Sequence, residues 1–288
     1  MSTVTSRPAI AEQRTHLYGG APTGARVSTK DLTMAKVNGQ PWPMLTAYDA
    51  ITARIFDDLG VPVLLVGDSA ATVVYGYDNT VAVTVDDLLP LVRAVVRGSS
   101  RAMVVADMPF GSYQSGVGTA LHNAARFLKE GGAHAVKLEG GRRICEQVRA
   151  LVESGIPVMG HVGLTPQSVL ALGGYRVQGR GAAGDQLLQD ALALQDAGAF
   201  AVVLEVIPAE LAERVTKELD IPTIGIGAGN GTDAQVNVWQ DLTGLTPGTP
   251  PKFVKKYADL RTTITDAARA WCDDVVKRTY PADENTYS

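Results

Sequence analysis

Cysteine is scarce in this chain. Only Cys145 and Cys272 occur, and neither belongs to a CxxC pair. That leaves no basis for a disulfide framework or a zinc ribbon, and a reducing cytoplasm is the simplest setting. Basic excess is missing too: 26 Lys and Arg stand against 30 Asp and Glu, for a net charge of −4. No long basic run interrupts that balance, so no electrostatic footprint for nucleic acid is expected. Long apolar runs are absent as well, and nothing approaches the ~20 residues of a membrane span. The first 30 residues lack the apolar stretch of a secretory signal. They are rich in Ser, Thr, Pro, Gly and Ala, with Arg7, Arg14 and Arg26 scattered among them, and read as a flexible extension over residues 1–30.

What remains is an ordinary globular composition, 45% hydrophobic and 19% charged. A length of 288 residues allows two small domains or one (β/α)8 barrel, which typically needs about 250 residues. Beyond the extension, short apolar runs alternate with helical spacing. Gly60-Val61-Pro62, Gly155-Ile156-Pro157 and Asp220-Ile221-Pro222 each separate a helix from a strand, since Gly supplies a helix end and Pro blocks continuation. Strands are predicted at 43–47, 62–67, 102–107, 134–138, 156–160, 200–204, 222–226 and, most weakly, 236–239. Eight strands with intervening helices and no linker favour a single closed (β/α)8 TIM barrel over 31–288, with an open doubly wound sheet as the alternative. The strand-to-helix connections after residues 67, 160 and 226 are long, whereas the helix-to-strand returns are short. In such a barrel the elaborated side carries the active site.

Charged residues emerge on that same side. Four apolar runs end in Gly67-Asp68-Ser69, Asp107, Lys137-Leu138-Glu139 and Glu205. If the strands are parallel neighbours, these ends converge on one rim. Asp68 and Asp107, with Glu139 next, are the metal candidates; carboxylates without cysteine suit a hard ion such as Mg²⁺. Each alone could equally be a helix cap or an ion-pair partner. Lys137 and Glu139 lie two apart and share a face; they form either a structural pair or a substrate anchor beside a metal support. His161 follows the fifth predicted strand and is either a hydrogen-bonded core residue or part of the site. Glu205, flanked by Val203, Leu204, Val206 and Ile207, has the apolar surround that lifts a carboxylate toward the range of a general base. Its bland alternative is a buried Glu held by backbone amides. The glycine-rich Gly225-Ile226-Gly227-Ala228-Gly229-Asn230 follows the seventh strand, where many barrels bind phosphate, though alone it is a weak signal.

These segments, together with Ala106-Asp107-Met108-Pro109-Phe110, Gly160-His161-Val162-Gly163-Leu164-Thr165-Pro166-Gln167 and Gly173-Gly174-Tyr175-Arg176-Val177-Gln178-Gly179-Arg180, resemble the ketopantoate hydroxymethyltransferase family. The resemblance runs in order from about residue 30 to 285. It implies a barrel of the phosphoenolpyruvate mutase/isocitrate lyase type. It also implies transfer of a hydroxymethyl group from 5,10-methylenetetrahydrofolate to 3-methyl-2-oxobutanoate, toward pantothenate, through a magnesium-stabilised enolate. Carried over residue by residue, Asp68, Asp107 and Glu139 would hold one Mg²⁺ per subunit directly or through water. Ser69 and Lys137 would bind the 2-oxo acid, with Asp68, Asp107 and His161 lining the same substrate site, and Glu205 would be the acid/base. A homodecamer of two five-membered rings is implied as well. No folate signature is legible. The chain departs from the family pattern at Tyr77, Ala234 and Asn285. A magnesium-dependent 2-oxo acid lyase or mutase on the same barrel is the nearest alternative, but its Lys-Lys-Cys-Gly-like loop is absent. A silent, assembly-forming barrel is the other, and buried charges retained at a stability cost argue against it.

Overall fold

The computed structural model describes residues 17–19 and 25–287. Eight strands, β1 (Trp42–Thr46), β2 (Val63–Val66), β3 (Met103–Asp107), β4 (Ala135–Glu139), β5 (Val158–Gly163), β6 (Ala201–Glu205), β7 (Thr223–Ile226) and β8 (Ala234–Asn237), pair in parallel in chain order. β8 closes on β1 through Trp42↔Ala234 to Leu45↔Asn237, so the sheet is a closed (β/α)8 barrel. Helices α1 (Thr29–Val37), α2 (Ala50–Asp58), α3 (Ala70–Val73), α4 (Val85–Gly98), α5 (Val117–Lys129), α6 (Cys145–Glu153), α7 (Val169–Leu172), α8 (Ala183–Asp196), α9 (Ala209–Glu218), α10 (Trp239–Leu242) and α11 (Leu260–Lys277) complete the element order.

The strands are apolar on both faces because each face has its own core. Met44, Leu65, Val105, Met159, Val203 and Ile224 fill the barrel interior. Their alternates, among them Leu64, Val104, Leu138, Val202 and Leu204, pack in the core that takes in the surrounding helices. The two-residue period sets these faces. Continuing the inward phase toward the strand ends reaches Asp107 from Val105, Lys137 and Glu139 from Ala135, His161 from Met159, and Glu205 from Val203. The sequence alternation itself therefore aims these groups into the mouth of the barrel. Outside, α4 buries Val85, Leu88, Val92 and Val95 on one stripe and is started by a Thr84–Asp87 capping box, a device worth about 1 kcal/mol.

Several boundaries differ from the sequence reading. β5 begins at Val158, because Pro157 has no N–H to give the ladder, and it runs on to Gly163. His161 thus sits within a strand, in register with Glu139 and Val203, rather than after one. β8 lies at Ala234–Asn237, two residues earlier than expected. Most of the expected flexible extension falls outside the described residues, as does His16. Its described part packs: Val27 is buried, the Arg26 guanidinium donates to the carbonyls of Ser99 and Ala102, and α1 sends Leu32 and Ala35 into the interior core. No helix among the described residues is long and apolar enough to cross a membrane. α11 is unusual in burying none of its residues.

Candidate active site

The strand-end charges meet in one continuous chain, buried except for the partly exposed Glu205. Asp107 accepts both contacts of the Lys137 ammonium, at 2.7 and 2.8 Å, and its Oδ2 also accepts the Asp68 backbone N–H at 3.2 Å. Asp107 and Lys137 face each other across β3 and β4. Lys137 Nζ lies 3.7 Å from Glu139 Oε1. Glu139 in turn faces His161, whose Nδ1 is 3.4 Å from Glu139 Oε1 and whose Nε2 is 3.3 Å from Glu205 Oε2. Neither imidazole nitrogen has an aligned hydrogen bond, so these are charge contacts. Ser69, at the start of α3, shares a 2.8 Å hydrogen bond with the buried Tyr48 hydroxyl. A cavity of about 100 Å³ is lined by Asp68, Ser69, Asp107, Lys137, His161 and Glu205. Its other wall is apolar, including Leu65, Val203, Ile226 and Val236.

All seven residues singled out in the sequence are therefore brought together. Their electrostatics follow from burial. Desolvation, then the fields of Asp107 and Glu139, hold the Asp68 carboxyl well above the ordinary carboxylate range. Burial also raises Asp107, against the opposing pull of Lys137. Burial pushes Glu139 the same way, but contact with His161 and Lys137 outweighs it and keeps that group low. Burial lowers Lys137, and the surrounding carboxylates more than restore it. His161 is driven down by burial and Lys137, yet Glu139 and Glu205 carry it up to about 9, so it is an imidazolium at neutral pH. Glu205 differs from its expected apolar setting: its side chain is 16% exposed and faces the His161 ring.

The donor set fits a hard divalent ion. Asp68, Asp107 and Glu139 place three carboxylates where Lys137 is the one neighbouring amine, and His161 already spans Glu139 and Glu205. Among the described residues no three His, Cys, Asp or Glu side chains are gathered so as to enclose an ion unaided. Mg²⁺ takes one or two carboxylates and completes its shell with water and substrate oxygens. Asp68 and Asp107, the expected ligands, both line the cavity. Glu139 Oε2 accepts the Gln167 N–H, while its Oε1 has no hydrogen bond and lies 3.7 Å from Lys137 Nζ and 3.4 Å from His161 Nδ1.

Three residues of the site carried no assigned role in the sequence reading. Tyr48 supports Ser69, while Tyr113 and Gln167 tie the loops after β3 and β5 to Glu139. Of the departures, Tyr77 and Asn285 are exposed and Ala234 buries its methyl in the barrel interior.

A family model described as ketopantoate hydroxymethyltransferase matches residues 26–283. The chain belongs to this family of transferases. A 3-methyl-2-oxobutanoate hydroxymethyltransferase of Frankia casuarinae is 66% identical over 266 residues, covering 92% of this chain and 90% of the relative. That of Thermobifida fusca is 58% identical and covers 100% of both chains. That of Mycobacterium leprae is 54% identical over 96% of this chain and 100% of its own. Among solved structures, a phosphonopyruvate hydrolase complex with oxalate and Mg²⁺ superposes with a TM-score of 0.59 at 12% identity, covering 90% of this chain and 91% of that one. A 2,3-dimethylmalate lyase of the phosphoenolpyruvate mutase/isocitrate lyase superfamily gives 0.55 at 18% identity, over 90% and 91%. At such identities these two share the fold with this chain.

Proposed function

We propose that this chain transfers a hydroxymethyl group from 5,10-methylenetetrahydrofolate to 3-methyl-2-oxobutanoate, giving 2-dehydropantoate for pantothenate synthesis in the cytoplasm. The observation that carries the reading is the run of charged side chains from Asp68 to Glu205, buried up to the partly exposed Glu205, at the mouth of a family-typical barrel. Asp68 and Asp107 would hold Mg²⁺, with Glu139 behind them. When bound, the ion supplies Lewis-acid polarisation of the oxo acid's keto and carboxylate oxygens, an effect of several kcal/mol.

The chain's own residues do the rest. Lys137 and Ser69 anchor the substrate carboxylate, and the apolar wall of Leu65, Val203, Ile226 and Val236 takes its branched alkyl end. Glu205 accepts the C3 proton, and the resulting enolate carbon attacks the folate's methylene carbon, one C–N bond breaking as the C–C bond forms; water then displaces the second nitrogen, leaving the hydroxymethyl group on C3 and releasing tetrahydrofolate. His161, charged and 3.3 Å from Glu205, aims that carboxylate. A wider depression of about 670 Å³ lined by Arg142, Arg143, Gln178 and Gln186 adjoins the loop after β5 and leaves room for a larger co-substrate. A lyase or mutase activity is supported by the shared fold alone, and fold does not carry function.

The test is Mg²⁺-dependent deuterium exchange at C3 of 3-methyl-2-oxobutanoate. Wild type should exchange, and Glu205→Gln should lose exchange while still binding metal. Normal exchange in that variant would remove Glu205 from the role, and no exchange in wild type would overturn the reading.

The same proposal includes a homo-oligomer, decameric as the family resemblance implies. Its support is α11, whose apolar residues lie bare in the single chain.

A further inference from the structure

We propose that Gln167 is the positioning residue of the metal site: its side-chain amide fixes Asp68, and its backbone N–H holds Glu139. The inference rests on the reading of Asp68 and Asp107 as ligands, and goes beyond it to a residue that binds neither metal nor substrate.

Gln167 is buried, and its side-chain orientation is set by its neighbours. Its Nε2 donates to Asp68 Oδ2 at 3.0 Å and to the Met108 carbonyl at 2.9 Å. Its Oε1 accepts from the Tyr113 hydroxyl at 2.8 Å and from Gln114 Nε2 at 3.2 Å. Acceptors lie on one side and donors on the other, so the amide has one satisfied orientation. Its backbone N–H meanwhile donates to Glu139 Oε2 at 3.1 Å. The Tyr113 hydroxyl closes the ring by accepting the Glu139 N–H at 3.1 Å. Carboxylates following β2 and ending β4 are thereby tied to one residue of the loop after β5.

The loop itself is pinned for this. Gly163 has φ +98°, and a Cβ there would fall 2.3 Å from the Glu205 carbonyl oxygen. That close approach lets the Leu164 N–H donate to the Glu205 carbonyl at 2.8 Å. Four residues on, Gln167 is delivered behind Asp68. Without that amide, the buried Asp68 Oδ2 would lose its side-chain donor. Residues that orient metal ligands in this way typically govern 10–100-fold in metal affinity.

The experiment is Mn²⁺ binding to the full-length protein, followed by the paramagnetic resonance of free Mn²⁺, for wild type, Gln167→Met and Tyr113→Phe. Gln167→Met keeps the side chain's length without its hydrogen bonds. Its Mn²⁺ dissociation constant should rise about 10–100-fold, while at saturating Mg²⁺ the KM for the oxo acid stays near that of wild type. Tyr113→Phe, which removes one of the two donors to the amide oxygen and leaves Gln167 in place, should show a smaller rise. Wild-type Mn²⁺ affinity in a folded Gln167→Met overturns the inference and leaves the proposed function standing. If Gln167→Met does not fold, unchanged affinity in Tyr113→Phe overturns it and weakened affinity supports it. Failure of wild type to bind Mn²⁺ overturns the metal reading itself, and this inference with it.

Discussion

The Nε2 of His161 lies 3.3 Å from Glu205 Oε2, so the proposed base is held by a buried imidazolium. The other ring nitrogen reaches Glu139 at 3.4 Å, linking the base to the carboxylates on the opposite side of the cavity. A carboxylate that must receive a carbon-bound proton needs a fixed direction as well as a charge. His161→Gln keeps a polar side chain but removes the cation and one point of contact. C3 exchange should slow on the order of 10²-fold, the lower end of what a general base contributes, with little change in the KM for the oxo acid. Exchange rates by proton resonance across substrate concentrations check this. An unaltered rate would reduce His161 to a space-filling role.

A second histidine makes a prediction about stability. His134 Nδ1 accepts the Val104 N–H at 3.0 Å, so the native ring is neutral. Burial, then the field of Arg26, lowers it from 6.5 to about 4. Between those values the unfolded chain holds more protons at this position than the folded one. Its contribution is therefore fully present above pH 6.5 and is lost as the pH falls toward 4. His134→Asn can still accept the Val104 N–H through its amide oxygen but does not titrate. Melting temperatures of the two proteins from pH 7.5 down to about 4.5 should show the wild type falling more steeply. Parallel curves would count against the assignment.

How much was legible in the sequence depended on whether a residue's role is set locally. Asp107, Lys137, Glu139 and Glu205 stood out because a charge at the end of an apolar run is costly, and the two-residue period says where it points. His161 was placed on the right rim but after its strand, since Ile156-Pro157 looks strand-like although proline delays the ladder. α1 went unread because only Leu32 and Ala35 of its nine residues are buried; the Ser28–Asp31 capping box was its one clear signal. Tyr48, Tyr113 and Gln167 had no local signature at all. Gln167 meets Asp68 across 99 residues of sequence, and a neutral amide announces its partner only once the barrel has closed.

α11 supports the last prediction. Leu260, Ile264, Ala268, Trp271 and Val275 recur at helical spacing, yet no residue of the helix is buried, and Trp271 is 56% exposed. Most helical stability in proteins comes from packing an apolar face rather than from propensity, and this 18-residue helix packs none of its own. A second copy of the chain as cover accounts for both the stripe and its exposure. The pair Trp271→Lys and Val275→Lys would place two charges on that stripe without touching the protomer's core. Light scattering after size exclusion should give wild type a mass near ten times the 30.3 kDa protomer, and the double variant a clearly smaller species. Because no residue of α11 lines the strand-end cavity, metal binding by the dissociated protomer should persist. An unchanged assembly in the variant would mean that α11 does not hold the copies together.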